Sequence, residues 1–193
     1  GKVIDAKFNF NKNIIIKNIT REIIHYKDLD IDKFKLNIKK GSIYDFNLED
    51  SEIDIERSQN SNKVNSIIST KGEINLKKIK KISSLLNFEI TDFKNIDGKV
   101  DLKTIINFTL DKYFRIKNFS YTTEGDIPDL QIDFKDKALI KKYLPEYKSI
   151  VKFKKVKNKF KKSKDKSTLN VIGLKSINNN FGNFEVKRSY DYI

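Results

Sequence analysis

A stretch of alternating side chains constrains the fold of this chain more than any other feature. Between Val100 and Leu110, apolar residues recur at every second position except Thr104, and most intervening residues are polar or charged. Successive side chains of a β-strand point to opposite faces, so the pattern predicts a strand with one apolar and one solvated face. The apolar set consists of Val100, Leu102, Ile106, Phe108 and Leu110.

The following segments continue this pattern and predict an antiparallel meander over residues 98–134. A return strand is expected at 114–123, and a third strand after a break at Gly125 and Pro128. The apolar residues of the third strand are Leu130, Ile132 and Phe134. The return strand contains two pairs of apolar residues, Phe114 with Ile116 and Phe119 with Tyr121. One pair occupies even-numbered positions and the other odd-numbered positions, so in a regular strand they would lie on opposite faces. The pattern leaves open which pair continues the apolar face.

Similar patterns elsewhere predict a mainly β protein with a few short helices. Strands are predicted over 1–10, 14–16, 19–26, 34–38, 44–48, 53–55, 64–70, 168–174 and 181–188. A turn is expected at Lys40-Gly41 and a polar loop at Ser58–Ser61. Apolar residues at three-to-four spacing predict helices at about 76–88 and at 135–144.

Two short segments have the same form and suggest a repeat. Gly72-Glu73-Ile74-Asn75-Leu76-Lys77 matches Gly98-Lys99-Val100-Asp101-Leu102-Lys103, and 26 residues separate the two. Self-similarity of this kind is typical of stacked units. We therefore expect sub-units at 1–70 and 71–145, a basic loop or helix at 148–166, and terminal strands at 167–193.

The residue inventory argues against catalysis. The chain has 193 residues, no cysteine and a single histidine, His25. These numbers remove cysteine-based metal sites and make Ser-His or Cys-His machinery implausible. The carboxylates fall mostly on the polar faces of predicted strands, and the isolated glycines form no phosphate-binding loop. We therefore expect neither an enzyme nor a cofactor or metal site, and we interpret His25 as structural or exposed.

The positive charge is concentrated in one part of the chain. The net charge is +14, and residues 135–166 alone hold fourteen lysines against three acidic residues. Phe153, Val156 and Phe160 have helical spacing within this region, which suggests a lysine-flanked amphipathic helix, although its polar end favours a loop. Candidate contacts to an anionic surface are Lys152, Lys154, Lys155, Lys157, Lys159, Lys161 and Lys162.

Three explanations for these lysines remain open. The first is that they form a solvated loop, in a chain whose lysine content reflects A+T-rich codons. The second is contact with an anionic membrane, and the third is binding of single-stranded nucleic acid. Nucleic acid is the least favoured, because arginine is nearly absent there and arginine dominates base and phosphate recognition.

Four features of the sequence form a recognisable combination: the glycine-led strands, the predicted helix starting at Leu76, the return segment Asp111–Phe119 and Tyr143-Leu144-Pro145. This combination resembles the AsmA-like envelope proteins, including the YhdP and TamB branch. The likeness is best over Gly72–Pro145 and weak over 1–60. It implies a long, twisted antiparallel sheet curled lengthwise into an apolar groove that carries phospholipid between the membranes of diderm bacteria. The residues expected to line the groove are Val100, Leu102, Ile106, Phe108, Leu110, Leu130, Ile132 and Phe134.

The resemblance also implies a periplasmic location and an anchor in the inner membrane, which would lie outside this sequence. The chain begins at Gly1 and contains no methionine, so we expect it to be a fragment of a longer repetitive protein. The basic stretch is a departure from the family pattern. Alternatives are a structural or interaction repeat, in which the same face is an ordinary packed core, and a nucleic-acid binder acting through 148–166.

Overall fold

The computed structural model describes residues 2–10, 12–27, 32–43, 45–85, 90–135, 149–177 and 180–191. The described part contains ten strands and one helix. In chain order they are β1 (Lys2–Phe10), β2 (Lys12–Lys27), β3 (Asp32–Ile43), β4 (Phe46–Arg57), β5 (Ser61–Asn75), α1 (Leu76–Leu85), β6 (Phe93–Asp111), β7 (Ile116–Phe134), β8 (Ile150–Lys162), β9 (Lys166–Ile177) and β10 (Asn180–Asp191).

The strands form one antiparallel sheet in which spatial order follows sequence order from β1 to β10. Each described strand packs on its neighbours in sequence, and α1 packs on β5 and β6. The sheet is not closed, because the described ladders pair β1 and β10 with one neighbour each. The mainly β, antiparallel fold predicted from the alternation is therefore confirmed.

The two faces of the sheet differ in chemistry. We call the face that carries Phe108 the inner face and the opposite one the outer face. Phe108 lies opposite Val64, Val64 opposite Ile55, and Ile55 opposite Phe34, so apolar residues continue across the strands. The almost fully buried apolar side chains of the described residues all belong to the inner face: Ile38, Phe46, Leu48, Val64, Ile96, Val100 and Val156.

Ion pairs between neighbouring strands cover the outer face. Lys35 of β3 lies 2.7 Å from Glu52 of β4, and Lys33 lies 3.5 Å from Glu56. Similar pairs join Lys71 to Asp101 and Lys159 to Glu124. One side of the sheet is therefore charged and hydrated, as the alternation predicts.

Register shifts bend the sheet and explain its curl. They occur between β2 and β3, β4 and β5, β6 and β7, and β8 and β9. A bulge bends its strand and increases the local twist. Ile38 and Leu48 are each only 1% exposed and pack together, with Leu36, Ile43, Ile53 and Ile68 around them. Such burial indicates that inner-face side chains shield one another, consistent with a curled groove.

The meander over 98–134 has two long strands, so the prediction of three is wrong. β7 continues through Gly125 and Pro128. A Cβ atom at Gly125 would collide with the Asp101 carbonyl oxygen, so this glycine permits close strand approach without ending the strand. A register shift between the pairs Gly98–Leu130 and Asp101–Asp126 accommodates Pro128, which has no N–H to donate.

Two other boundary predictions are also wrong. Lys40 and Gly41 lie inside β3, where they pair with Glu49 and Leu48, so the expected turn is absent. Over its described residues, 149–166, the basic stretch is mostly strand β8, followed by a short turn at 163–165 and the first residue of β9, so the expected helix or long loop is wrong. Lys155 has a positive φ of 50° at a bulge. Because the bulge adds a residue, Phe153 and Val156 share the inner face despite their helix-like spacing.

The helix prediction at 76–88 is confirmed over Leu76–Leu85. Asn75 caps the helix, since its Oδ1 accepts a 3.0 Å hydrogen bond from the backbone N–H of Lys78. The helix predicted at 135–144 falls almost wholly outside the described residues, apart from Lys135, which is not helical. The two repeat copies pair with each other, with Gly72 opposite Val100. They diverge afterwards, because the first copy enters α1 whereas the second continues in β6.

Candidate ligand groove

The inner face is a continuous apolar surface that the described elements leave largely uncovered. Ile106, Phe108 and Leu110 are half-buried along β6. Their neighbours are apolar or small across several strands, including Ile53 and Ser66 in the row that contains Ile106. Apart from α1, no described element forms a second layer over these strands. The surface therefore has the shape and chemistry of a site for an elongated apolar ligand.

Helix α1 closes one end of this surface. Lys78 extends over the Phe46 ring, with Nζ 4.8 Å from the ring centroid. The same ammonium donates hydrogen bonds to the backbone carbonyls of Asp45 and Glu73, at 3.1 and 2.8 Å. Beneath this end, Ile96 and Val100 are each only 4% exposed. Val100, a predicted groove residue, is thus on the expected face but sealed by protein.

The other groove candidates also lie on the inner face. Leu130 pairs with Gly98, and Ile132 pairs with Ile96, so both belong to the end closed by α1. The ring of Phe134 contacts that of Phe93, with centroids 5.4 Å apart. The remaining candidates are half-buried and follow β6 away from the helix: Leu102, Ile106, Phe108 and Leu110.

A bulge at Asn118 answers which part of β7 continues the apolar face. Ile116 lies opposite Leu110, and Tyr121 lies opposite Ile106, although Ile116 and Tyr121 have opposite parity along the chain. Asn118 has a φ of 52° at the register shift between them. The extra residue places Ile116 on the same face as Phe119 and Tyr121, while Phe114 lies in the preceding turn.

An aromatic series extends the inner face beyond the predicted residues. The ring centroids of Phe119 and Tyr121 are 5.7 Å apart, and those of Tyr121 and Phe160 are 5.4 Å apart. Phe153 makes an edge-on contact with Phe184 of β10. The sequence pattern did not place Phe153 and Phe160 on this face, because the Lys155 bulge makes the apolar spacing of β8 resemble that of a helix.

Polar groups of the inner face mostly satisfy one another. The hydroxyls of Thr104 and Thr123 are 3.1 Å apart, and Ser51 Oγ accepts a 3.0 Å hydrogen bond from the N–H of Ser69. Such internal pairing leaves an apolar surface for a ligand. Asn158 is an exception, because its buried Oδ1 has no hydrogen-bond partner among the described residues.

The basic candidates do not form a single cationic surface. Lys152, Lys154, Lys157, Lys159 and Lys161 lie on the outer face, whereas Lys162 lies on the inner face and Lys155 at the bulge. The facing strand is acidic: Glu124 lies 3.1 Å from Lys159, and Asp126 pairs in register with Lys157. Lys154 also lies 4.7 Å from the centre of the Phe181 ring. Much of this charge is therefore balanced within the sheet.

The most strongly interacting ionisable residues also lie on the outer face. A hydrogen bond between Lys35 and Glu52 raises the pKa of Lys35 and lowers that of Glu52. Burial, followed by the neighbouring Glu52, raises the pKa of Asp54. These half-buried groups pair between strands on the outer face, so we assign them a structural role.

The single histidine of the chain, His25, contacts strand β3. The ring of His25 stacks on Phe34 at a centroid distance of 4.3 Å, and its Nε2 lies 3.6 Å from Asp32. Within the described ranges, His, Cys, Asp and Glu residues form no cluster of three or more suited to a metal ion. The helix that the structure describes is too short and too polar to cross a membrane.

Comparison with known proteins yields no match: no family model, curated protein or solved structure is significantly similar to the chain.

Proposed function

We propose that the inner face binds the acyl chains of phospholipid, and that the chain is a lipid-handling segment of an AsmA-like envelope protein. The observation that carries the proposal is the one-sided distribution of apolar side chains on an open sheet. All the almost fully buried apolar residues described lie on the inner face, yet the middle of that face has no second layer of described elements.

An acyl chain suits this surface better than a compact ligand does. The apolar rows continue over many strands, and their hydroxyls pair internally, so the surface offers contact area without a concentrated polar site. Each buried methylene contributes about 0.8 kcal/mol of transfer free energy, so a long chain gains affinity from length alone. The sequence resemblance adds the proposed setting, which is the periplasm with an inner-membrane anchor outside this sequence.

Site-specific photocrosslinking tests the proposal. A photoreactive phenylalanine analogue at Phe108 lies on the half-buried inner face, whereas one at Lys103 of the same strand lies on the exposed outer face. In cells producing the full-length protein, the probe at Phe108 should capture phospholipid, and the probe at Lys103 should not. Equal capture at both positions, or capture at neither while a positive control succeeds, would contradict lipid binding.

The end of the inner face that α1 covers favours a second function, which is a structural repeat with an ordinary packed core. There α1 covers Phe46, and Val100 is almost fully buried. In that case a probe at Phe108 should crosslink only to protein. The same experiment therefore distinguishes the two functions.

A further inference from the structure

The β6–β7 turn and the first residues of β7 hold the densest group of exposed large apolar side chains among the described residues. We call residues Lys112–Phe119 the β6–β7 tip. Each residue of the tip is exposed. The exposed fractions of its large apolar side chains are 65% for Tyr113, 75% for Phe114, 56% for Ile116 and 41% for Phe119. An ordinary solvated turn has no need of four large apolar side chains within seven residues.

The tip is ordered by its own hydrogen bonds. Asp111 Oδ1 accepts hydrogen bonds from the N–H groups of Tyr113 and Arg115, at 2.9 and 3.0 Å. The second carboxylate oxygen accepts a 2.7 Å hydrogen bond from Arg115 Nε. The N–H of Phe114 donates to the Asp111 carbonyl at 2.8 Å. The exposed aromatic residues are thus presented on a fixed turn.

Phe114 has a backbone conformation that disfavours its own side chain. Its φ is 59°, in the left-handed region where glycine and asparagine are preferred and bulky residues are rare. Strain of this kind points to a role when the residue also lacks packing, and Phe114 is three-quarters exposed. Neither the turn conformation nor core packing therefore accounts for a phenylalanine at this position.

Two other turns at the same end of the sheet provide a comparison. In Ser58–Ser61 and Ser163–Lys166, a serine N–H and hydroxyl both approach the carbonyl oxygen three residues later, at 2.8–3.1 Å. These turns reverse the chain with polar residues and without the positive φ seen at Phe114. The aromatic residues of the β6–β7 tip are consequently not a requirement of chain reversal.

Positive charge surrounds the exposed aromatic residues. Lys112, Arg115 and Lys117 lie within the tip. The adjacent Asp111 pairs with Arg115 at 2.7 Å, so residues 111–119 hold three basic residues against one acidic residue, a net charge of +2. Lys112 Nζ and Arg115 Cζ lie 5.0 and 5.1 Å from the centre of the Tyr113 ring. A cavity of about 380 Å³ lies between the tip and the end of β8, where Lys162 and Lys164 join Lys117 in its lining.

We infer that the β6–β7 tip docks on the surface of a bilayer rich in anionic lipid. Aromatic rings are favoured at the headgroup level, and basic side chains beside them can place their methylenes in the apolar region while their charges contact lipid phosphates. This combination of exposed rings, net positive charge and fixed geometry is present at the tip. Docking goes beyond lipid binding by the inner face and does not require that face to carry a ligand.

Tryptophan fluorescence tests insertion directly, since the chain contains no tryptophan. The Phe114→Trp variant should show a blue shift on addition of phosphatidylcholine vesicles containing phosphatidylglycerol, and brominated acyl chains should quench it. The matched control is Phe181→Trp, at the opposite end of the sheet, where the original ring is 39% exposed. Its emission should be unchanged. Equal shifts at both positions, or no shift at residue 114, would overturn the inference.

Vesicle cosedimentation tests the individual contributions. The double variant Tyr113→Ser/Phe114→Asn should reduce partition onto anionic vesicles at least tenfold, because it removes two inserted rings. Lys112→Gln/Lys117→Gln should weaken binding and reduce its dependence on salt. Phe181→Asn should bind as the unmodified chain does, and circular dichroism should verify that every variant is folded. Wild-type binding by the tip variants, or equal binding to purely zwitterionic vesicles, would overturn the inference.

Discussion

Gly125 of β7 approaches the main chain of Asp101 in β6 so closely that no side chain fits between them. A Cβ atom built on Gly125 collides with the Asp101 carbonyl oxygen and lies 2.9 Å from the Cα of Leu102. The approach occurs beside the register shift of this ladder. The glycine thus allows two nineteen-residue strands to remain paired where the sheet bends.

Replacement of this glycine should destabilise the sheet. We expect Gly125→Ala to lower the free energy of unfolding by about 1–3 kcal/mol, since the backbone must move to admit the methyl group. Gly182→Ala in the edge strand β10 is the matched control, because a Cβ there meets nothing within 4 Å. Chemical denaturation of the two variants provides the measurement. Equal stability of the two would show that the close approach has no energetic consequence.

The buried centre of the inner face should be more sensitive to truncation than its margin. Leu48 is 1% exposed and packs with Ile38, so Leu48→Ala should lower the free energy of unfolding by about 2–4 kcal/mol. Ile23 belongs to the same face of β2 but is 54% exposed. Ile23→Ala should change stability by less than about 1 kcal/mol. Similar decreases in the free energy of unfolding for the two variants would argue against a surface that is packed at Leu48 and open at Ile23.

The sequence predicts the composition of the inner face well, because alternation depends only on the pleat of a strand. The five apolar residues between Val100 and Leu110 share a face as expected. Alternation does not reveal bulges, however. One extra residue at Asn118 and another at Lys155 change the parity of β7 and β8, so Ile116 and Phe153 could not be assigned to a face from spacing alone.

Strand lengths were equally hard to predict, since glycine and proline also occur inside strands where two backbones approach or a bulge is present. Gly125 and Pro128 are of this kind. The helix at Leu76 was predictable because its apolar spacing persists for three turns after a capping asparagine. The closure of the groove by this helix could not be predicted from the sequence, because it depends on the tertiary contact between Lys78 and Phe46.

The Asp111 carboxylate should stabilise the β6–β7 tip at pH values above its pKa, where it is ionised. Hydrogen bonds from the Arg115 backbone N–H and then from its guanidinium lower the pKa of Asp111 below the ordinary value of 3.8. A lowered pKa in the folded state means that the carboxylate stabilises the fold above pH 3.8 and that this contribution disappears as the pH falls through the folded pKa.

Carbon-13 NMR of the side-chain carboxyl should therefore give an Asp111 midpoint below 3.8 in the unmodified chain. Arg115→Gln should move the midpoint upward, because it removes the guanidinium donor but retains the backbone one. A wild-type midpoint at or above 3.8, or a midpoint unaffected by Arg115→Gln, would contradict the hydrogen-bonding arrangement of the turn.

Phe114 allows stability and membrane docking to be separated. Asparagine tolerates the left-handed conformation better than phenylalanine does, so Phe114→Asn should raise the free energy of unfolding by about 0.5–1 kcal/mol. The same substitution removes the most exposed ring of the tip and should weaken partition onto anionic vesicles. Greater stability combined with weaker binding is the pattern expected of a strained residue retained for an interaction. The control Phe181→Asn removes an exposed ring at the opposite end of the sheet, so it should leave vesicle binding unchanged. A destabilised Phe114→Asn variant, or one that binds vesicles normally, would show that the ring serves the fold and not the bilayer.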